Sequence, residues 1–271
     1  MDAFCGIDVG STTVKVVITG DGGEPGGVLF RGVRATGAYA ARASDELLER
    51  GLGECCLARG DLGHVVSTGY GRKLVETADS QVSEITANAR GALALAGGAG
   101  SVRTVIDIGG QDSKVISLSS EGELVDFVMN DKCAAGTGRF LEVIARALEM
   151  DLGDLGARSA ESTRRIEITS TCTVFAESEV VGLLARGESV ADVAAAVHRS
   201  IARATAALAL KVGVMEPVLF DGGPALNSGL RSALAEALGA GLTTPEHPQT
   251  ATALGAALLA AERGGSGGSE A

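Results

Sequence analysis

The amino-acid sequence predicts an α/β protein with two lobes, each built on a hairpin of two strands joined by an acidic, glycine-rich turn. The first observation is composition, because 45% of the 271 residues are apolar, enough for one large or two small α/β cores. The second is periodicity, since short apolar runs of strand length alternate with longer amphipathic runs of helix length. The third is an internal repeat, in which residues 8–17 align without a gap on residues 107–116.

Composition and charge argue against two classes of partner. A net charge of −11 opposes binding to a phosphate backbone, and an aromatic content of 3% without Trp leaves few side chains to stack on bases. No apolar run approaches the roughly 20 residues that a membrane span needs.

The first residues lack the basic and apolar regions of a secretory signal, so we expect a cytoplasmic protein. The five cysteines then indicate free thiols or metal ligands rather than disulfides.

The first lobe is predicted to span residues 1–100. It opens with a buried strand, a tight turn and a second strand that folds back as its hairpin partner. An edge strand and an amphipathic helix follow, the helix with Leu47, Leu48 and Leu52 on its apolar face. In order, the predicted elements are strands 4–9, 14–18 and 28–33, helix 39–58, strand 64–68 and helix 82–96.

The repeated hairpin has the composition of a phosphate and magnesium site. A tight turn of small residues presents backbone N–H groups and hydroxyls to phosphate oxygens. Asp8 and Asp107 lie at the end of the first strand of each copy, where a carboxylate can hold hydrated Mg²⁺. Either hairpin alone is equally compatible with an ordinary turn, but the gapless repeat favours the functional interpretation. The predicted nucleotide contacts are Asp8, Gly10, Ser11, Thr12, Thr13 and Lys15 in the first copy and Gly109 and Gly110 in the second.

The second lobe is predicted to span residues 101–262, followed by a flexible, Gly- and Ser-rich tail over residues 263–271. One of its helices is strongly amphipathic, because Phe140, Ile144 and Leu148 recur at helical spacing. The predicted elements after the second hairpin are strand 124–129, helix 139–150, strand 165–169, helix 177–185, helix 189–213, strand 217–220, a helix from near residue 227, strand 241–243 and helix 249–262.

A pair of glycines, Gly222 and Gly223, ends a buried strand of the second lobe. Such a pair lets a flat ligand lie against the backbone, so we expect a nucleoside there, with a plain tight turn as the equal alternative. Asn227 and Gln249, at the starts of the last two predicted helices, are further expected nucleotide contacts. The chain has no Gly-Lys dipeptide, which excludes the common P-loop. None of the three His residues has a catalytic sequence context.

Cys133 and Cys172 lie in residues 130–186, which we predict to form a cluster-binding segment. Each follows a predicted strand and precedes a predicted helix, and helix N-termini favour thiolates and anionic clusters. Two thiolates do not complete a tetrahedral zinc site or a cubane iron–sulfur site, which generally needs four. A homodimer would supply four, two from each copy. Two buried core cysteines are the alternative, although the polar neighbours of both residues favour ligands.

These motifs, in this order, resemble a known superfamily. The two hairpins and the segment 220–223 are similar to the phosphate and adenosine motifs of the actin, sugar-kinase and heat-shock-chaperone ATPases, which share a two-lobed actin-like (ribonuclease H-like) fold. Residues 132–140 and 170–179, around the two cysteines, resemble one branch more specifically. That branch comprises the activators of 2-hydroxyacyl-CoA dehydratases and the related ATPase subunits of benzoyl-CoA reductase. The resemblance runs from Gly6 to about Ala261.

The resemblance implies a homodimer bridged by one oxygen-sensitive [4Fe-4S] cluster, which Cys133 and Cys172 of each subunit would bind. It also implies that ATP binds with Mg²⁺ between the lobes, and that its hydrolysis to ADP drives one electron from the cluster to a 2-hydroxyacyl-CoA dehydratase. A ferredoxin or flavodoxin would be the electron donor. For hydrolysis we expect Asp107 and Gln111 to orient the water, with Asp8 on Mg²⁺ and Glu84 as a further candidate.

Several alternatives stay open at this point. The chain could instead be the ATPase subunit of a benzoyl-CoA reductase-type enzyme. A small-molecule kinase of the same fold would carry structural cysteines and phosphorylate a sugar or an acid. A binding or scaffold protein would use the nucleotide only to switch conformation, and a dimer bridged by zinc would contain no iron or sulfide.

Overall fold

The computed structural model describes residues 3–20, 27–170 and 172–266. The chain forms two compact units. Unit 1 comprises Met1–Val102, Leu118–Leu124 and Pro245–Ala271, and unit 2 comprises Arg103–Ser117 and Val125–Thr244. Within the described ranges, none of the helices combines the length and hydropathy that crossing a membrane requires.

Unit 1 is built on a five-stranded sheet. Its elements are β1 (Ala3–Val9), β2 (Thr13–Thr19), β3 (Val28–Ala35), α1 (Ala40–Glu54), β4 (Leu62–Thr68), β5 (Ser80–Gln81), α2 (Glu84–Ala96) and, from the C-terminus, α8 (Ala251–Ser266). The strands lie in the order β3-β2-β1-β4-β5. β1 runs antiparallel to β2 and parallel to β4. The predicted strands and helices of this region are confirmed, with small shifts at their ends.

The two faces of this sheet are covered by different helices because side chains alternate along each strand. Cys5 and Ile7 of β1 belong to the apolar cluster that the leucines of α1 complete. Phe4, on the opposite face, packs with Ala256 and Ala260 of α8. The predicted apolar face of α1 is therefore confirmed, and β1 is buried along its whole length.

Three glycines allow α8 to approach its neighbours closely. A Cβ atom on Gly255 would lie 1.7 Å from the carbonyl oxygen of Ala87 in α2, and one on Gly91 would lie 1.9 Å from that of Ala251. A Cβ atom on Gly6 would lie 2.1 Å from the backbone of α8. These positions exclude every residue with a side chain, and no local sequence pattern singles them out for packing.

The C-terminal segment belongs to unit 1, whereas the sequence predicted residues 245–262 to lie in the second lobe. The physical reason is that α8 packs on β1, β2, β4 and α2. The predicted tail also begins later than expected, because α8 continues through Ser266. Arg263, within that last part, donates to the hydroxyl of Ser80 over 2.6 Å. Residues 267–271 of the predicted tail lie outside the described residues.

Unit 2 is built on a second five-stranded sheet. Its elements are β6 (Thr104–Ile108), β7 (Ser113–Leu118), β8 (Leu124–Asn130), α3 (Gly138–Ala147), α4 (Leu155–Ser159), α5 (Thr173–Ala185), α6 (Val190–Ala209), β9 (Val218–Asp221), α7 (Ser228–Leu238) and β10 (Leu242–Thr243). The strands lie in the order β10-β9-β6-β7-β8. β6 runs antiparallel to β7 and parallel to β9, as β1 does with β2 and β4, so the predicted repeat is present in three dimensions. The core of unit 2 surrounds Phe220, Ile106 and Ile144, all fully buried.

Two predictions for unit 2 were wrong in detail. Residues 165–169 do not form a strand, because arginine and glutamate side chains rather than a neighbouring strand satisfy part of their backbone. Helix α5 begins at Thr173, four residues earlier than predicted, with Cys172 as its N-cap residue. The early start follows from the sequence Thr173–Ala176, which contains no helix breaker.

We expect Gly255→Ala to lower the free energy of unfolding by about 1–3 kcal/mol or more, since the new methyl group meets backbone that cannot move cheaply. The matched control is Gly53→Ala in α1, where a Cβ atom meets nothing within 4 Å. That change should raise the free energy of unfolding by roughly 0.5–1 kcal/mol. Urea denaturation of both variants measures the two effects, and equal effects would contradict the packing described for α8.

Candidate functional site

The first hairpin turn joins β1 to β2 beside a partly buried ion pair. Asp8 is 6% exposed, and its Oδ2 lies 2.9 Å from Nζ of Lys15, its register partner on β2. The backbone N–H of Gly10 donates to the carbonyl of Thr13 over 3.1 Å and closes the turn. Ser11 at its tip is exposed. The turn therefore presents backbone and hydroxyl groups to solvent next to a carboxylate and an ammonium group.

The second hairpin turn repeats this geometry between β6 and β7. Asp107 is also 6% exposed, and its Oδ2 lies 2.9 Å from Nζ of Lys114. The backbone N–H of Gly109 donates to the carbonyl of Asp112 over 2.9 Å, and the carboxylate of Asp112 also pairs with Lys114. Gln111 is exposed at the tip. Lys114 is visible in the sequence repeat, but it was not among the predicted site residues.

A glycine in the left-handed region packs against the aspartate in each unit. Gly69 follows β4 with φ 88°, and a Cβ atom on it would lie 2.4 Å from Oδ1 of Asp8. Gly222 follows β9 with φ 85°, and a Cβ atom on it would lie 2.7 Å from Oδ1 of Asp107. Gly222 was predicted as a site residue, whereas Gly69 was missed. The signal that could have found Gly69 is its position after the strand parallel to β1, equivalent to that of Gly222 after β9.

The donor set of each turn fits a phosphate group and a magnesium ion. Backbone N–H groups around a glycine and a lysine ammonium group complement phosphate oxygens. Mg²⁺ needs only one or two carboxylates because it keeps several of its waters. Asp8 and Asp107 are each paired with one lysine, so a cation that bound either carboxylate would free an ammonium group for a phosphate oxygen.

Four other predicted residues lie away from the two turns along the chain. Glu84 is the first residue of α2, and Gln249 lies in the short helix Pro248–Thr250, both in unit 1. Gly223 opens the short helix Gly223–Leu226 in unit 2. Asn227 is the N-cap residue of α7, and its Oδ1 accepts from the backbone N–H of Leu230. Their roles in nucleotide binding or hydrolysis stay predictions.

Cys133 is an exposed free thiol in the loop between β8 and α3. The side chain of Asn130 donates to the carbonyl of Cys133 over 3.0 Å, and the hydroxyl of Thr137 donates to that of Ala134 over 2.6 Å. Gly136 has φ 83°, which a glycine adopts without strain. The loop is thus held on both sides of the thiol, as a positioned ligand requires.

Cys172 is also an exposed free thiol, and it directly precedes the first turn of α5. The segment before it is held by the Glu179 carboxylate, which accepts from the backbone N–H groups of Thr169 and Ser170 over 2.9–3.2 Å. Burial alone would raise the pKa of Glu179, but these hydrogen bonds outweigh it and hold the pKa below its ordinary value. Arg199 and Arg203 of α6 donate to carbonyls of residues 166 and 168.

The two thiols are the type of donor that an iron–sulfur centre needs, but they are fewer than the number it needs. Thiolates are the protein ligands of [4Fe-4S] clusters, and such a cluster takes four. Across the part of the chain that the structure describes, there is no group of three or more His, Cys, Asp or Glu side chains that could hold a metal ion. Cys133 and Cys172 of one copy are thus two of the four thiolates that such a cluster takes.

Comparisons with known proteins match the chain to one protein family. A model of the BadF/BadG/BcrA/BcrD ATPase family matches residues 5–260. The chain is 42% identical to a 2-hydroxyisocaproyl-CoA dehydratase activator of Clostridioides difficile over 94% of this chain and 93% of that protein. It is 45% identical to an (R)-2-hydroxyglutaryl-CoA dehydratase activating ATPase of Acidaminococcus fermentans over 94% and 95% of the two chains. It is 32% identical to a benzoyl-CoA reductase subunit of Thauera aromatica over 97% and 94%.

Solved structures confirm the actin-like ATPase fold predicted from the sequence. The activator of the 2-hydroxyisocaproyl-CoA dehydratase from Clostridium difficile with bound ADPNP superimposes with a TM-score of 0.92 at 41% identity, covering 99% of this chain and 98% of that one. A ROK family glucokinase from Streptomyces griseus, at 16% identity and a TM-score of 0.59 over 96% and 99% of the chains, shares the fold alone.

Acid should destabilise the fold through His198 of α6. This ring is 1% exposed, Asn227 Nδ2 lies 3.0 Å from its Nε2, and burial lowers its pKa to about 4, with the charge of Arg199 contributing. Histidine in the unfolded chain titrates near 6.5, so between pH 6.5 and 4 only the unfolded state gains this proton. The free energy of unfolding should therefore fall across that window, by up to about 3 kcal/mol from this group.

Urea denaturation between pH 7 and pH 4 measures this dependence. His198→Gln should flatten the slope between pH 6.5 and 4, whatever its effect on absolute stability. His247→Gln, which removes a half-exposed histidine, is the matched control. An unchanged slope in His198→Gln would show that His198 does not cause the acid sensitivity.

The segment before Cys172 should open more often when Glu179 is replaced. Glu179→Ala leaves the backbone N–H groups of Thr169 and Ser170 without their carboxylate acceptor, and hydrogen bonds to a charged group are worth about 1.5–3 kcal/mol. We expect hydrogen exchange of these two amides to accelerate by about tenfold or more. Glu177→Ala, an exposed glutamate on the same helix, is the control and should leave both rates unchanged.

Proposed function

Because this chain belongs to the BadF/BadG/BcrA/BcrD ATPase family, we propose that it is an ATP-dependent one-electron activator of a 2-hydroxyacyl-CoA dehydratase. In this function, hydrolysis of ATP drives one electron from a [4Fe-4S] cluster to the dehydratase. The observation that carries the proposal is the pair of exposed thiols, Cys133 and Cys172, on fixed segments of a chain with the actin-like ATPase fold. A kinase or a nucleotide-switched scaffold has no use for such a pair.

In the proposed mechanism, the two hairpin turns bind the nucleotide. Gly10–Thr13 and Gly109–Gly110 bind phosphate oxygens through backbone N–H groups and hydroxyls. Asp8 and Asp107 would hold Mg²⁺, and their lysine partners, Lys15 and Lys114, would then be available to phosphate oxygens. Asp107 and Gln111 orient the hydrolytic water, and Glu84 is a further candidate for that role. Gly222, Gly223, Asn227 and Gln249 bind the nucleoside.

In the proposed mechanism, the cysteines of two copies of the chain hold the redox centre. Cys133 and Cys172 from each copy complete the four-thiolate set that a [4Fe-4S] cluster requires. When bound, the cluster supplies a one-electron reductant of low potential. Val174 and Phe175, two and three residues after Cys172, are 67% and 68% exposed. Large exposed apolar side chains beside an incomplete ligand set support burial of this surface against a second copy.

The names and identities of the relatives favour a dehydratase as the electron acceptor. Three relatives named as dehydratase activators or activating ATPases are 42–45% identical to this chain, against 32% for the benzoyl-CoA reductase subunit. A role as the ATPase subunit of a benzoyl-CoA reductase-type enzyme is therefore the second candidate. We expect a ferredoxin or flavodoxin to reduce the activator, because a one-electron carrier of low potential must refill the cluster.

Removal of either ligand should abolish the cluster. We expect the anaerobically purified parent to contain about four iron and four sulfide per two chains, and Cys133→Ala and Cys172→Ala to contain neither. The matched control is Cys56→Ala, which removes an exposed cysteine outside residues 130–186 and should retain the full content. Iron and sulfide assays with visible absorbance measure the outcome. A full cluster in either ligand variant would refute the ligand assignment, and zinc in place of iron in the parent would refute the cluster.

A further inference from the structure

Three hydrogen bonds join the turn of the second hairpin to the loop that carries Cys133. The backbone N–H of Gly138 donates to the carbonyl of Gly109 over 2.9 Å, and that of Arg139 donates to the carbonyl of Gly110 over 2.8 Å. The hydroxyl of Ser113 donates to the carbonyl of Gly136 over 2.9 Å. All of these residues belong to unit 2. The turn that we assign to phosphate binding and the cysteine loop are therefore one hydrogen-bonded structure.

The internal repeat indicates that the Ser113 hydroxyl is an addition to the hairpin and not part of its basic architecture. Val14 occupies the equivalent position in the first hairpin and is fully buried in an apolar core. Ser113 is 3% exposed, so its hydroxyl is costly to bury unless it is hydrogen-bonded. Its bond goes to Gly136, three residues after the thiol. The second hairpin thus carries a polar side chain that donates a hydrogen bond to the cysteine loop.

The cysteine loop is built to pass a displacement on to the thiol. The bonds from Asn130 to the carbonyl of Cys133 and from Thr137 to the carbonyl of Ala134 restrain the backbone on both sides of Cys133. A Cβ atom on Gly138 would lie 3.1 Å from the carbonyl oxygen of Gly109, so α3 begins in direct contact with the turn. A shift of Gly109 and Gly110 therefore moves the start of α3 and the loop before it together.

We propose that Ser113 is a positioning residue that couples nucleotide binding at the Gly109–Gly110 turn to the placement of Cys133. The inference rests on the proposed function for the location of the nucleotide. The segment before Cys172 is held differently, by Glu179 of α5 and by Arg199 and Arg203 of α6. The chain therefore contains one cysteine that follows the nucleotide turn directly and one that is fixed to the helical part of unit 2.

Alkylation of the two thiols tests this coupling without a cluster. The full-length chain, freed of iron with a chelator, is treated with iodoacetamide with and without saturating ADPNP and Mg²⁺, and the modification rates of the Cys133 and Cys172 peptides are followed by mass spectrometry. We expect ADPNP to change the Cys133 rate in the parent. In Ser113→Ala this response should shrink by about fivefold, the factor that one neutral hydrogen bond is worth, while the Cys172 rate keeps its parental value.

Ser117→Ala is the matched control, since Ser117 is buried on the same face of β7 and the chemical change is identical. It should keep the parental response. Ser113→Val, which installs the residue of the first hairpin, provides a second variant and should reproduce the loss seen in Ser113→Ala. The affinity for ADPNP is measured in every variant, so that weakened binding is separated from weakened coupling.

A parental response in both Ser113 variants would overturn the proposal. A Cys133 rate that ADPNP leaves unchanged in the parent would overturn it as well. Neither result depends on the cluster, whose presence is decided separately by the iron and sulfide content of the anaerobic protein. A loss of response in Ser117→Ala equal to that in Ser113→Ala would also count against it, because any change in β7 would then suffice.

Discussion

A carboxylate buried at the end of a central strand must be paired, and this constraint organises both units. Asp8 and Asp107 are each the next-to-last residue of their strand, β1 or β6. That strand runs antiparallel to one that carries a lysine and parallel to one that is followed by a left-handed glycine. The lysine neutralises the charge, and the glycine leaves room for the carboxylate. An unpaired carboxylate at this depth would be strongly destabilising. In the proposed function the same groups would bind Mg²⁺ and phosphate, so stability and nucleotide binding would require the same geometry.

Most of the fold could be predicted from the sequence because the repeat and the apolar periodicities are local signals. The correct predictions include both hairpins, the helix α1 and the two cysteines at surface positions before helices. Gly69 was not predicted because its partner is on a parallel strand far away in sequence, which no local pattern reveals. The C-terminal helix was assigned to the wrong unit for the same reason, since it is the close approach of Gly6, Gly91 and Gly255 that shows where α8 packs.

The error over residues 165–169 has a different physical origin. Their composition suits a strand, but a glutamate and two arginines from neighbouring helices satisfy part of their backbone. Side chains that reach back from α5 and α6 lie well after the segment in sequence, so its own residues carry no sign of them. The result is an irregular segment held rigidly before Cys172. Ordered backbone without regular structure is suited to presenting a thiol at the surface.

In the proposed function, the two cysteines link the ATPase fold to redox chemistry. One chain offers two thiolates, and the described residues offer no third metal-ligating side chain near them. Native mass spectrometry of the anaerobically purified protein tests the central claim most directly. The account predicts a single dominant species with the mass of two chains plus four iron and four sulfide, which Cys133→Ala does not form. A monomer that carries a complete cluster, or a dimer free of iron and sulfide, would contradict it.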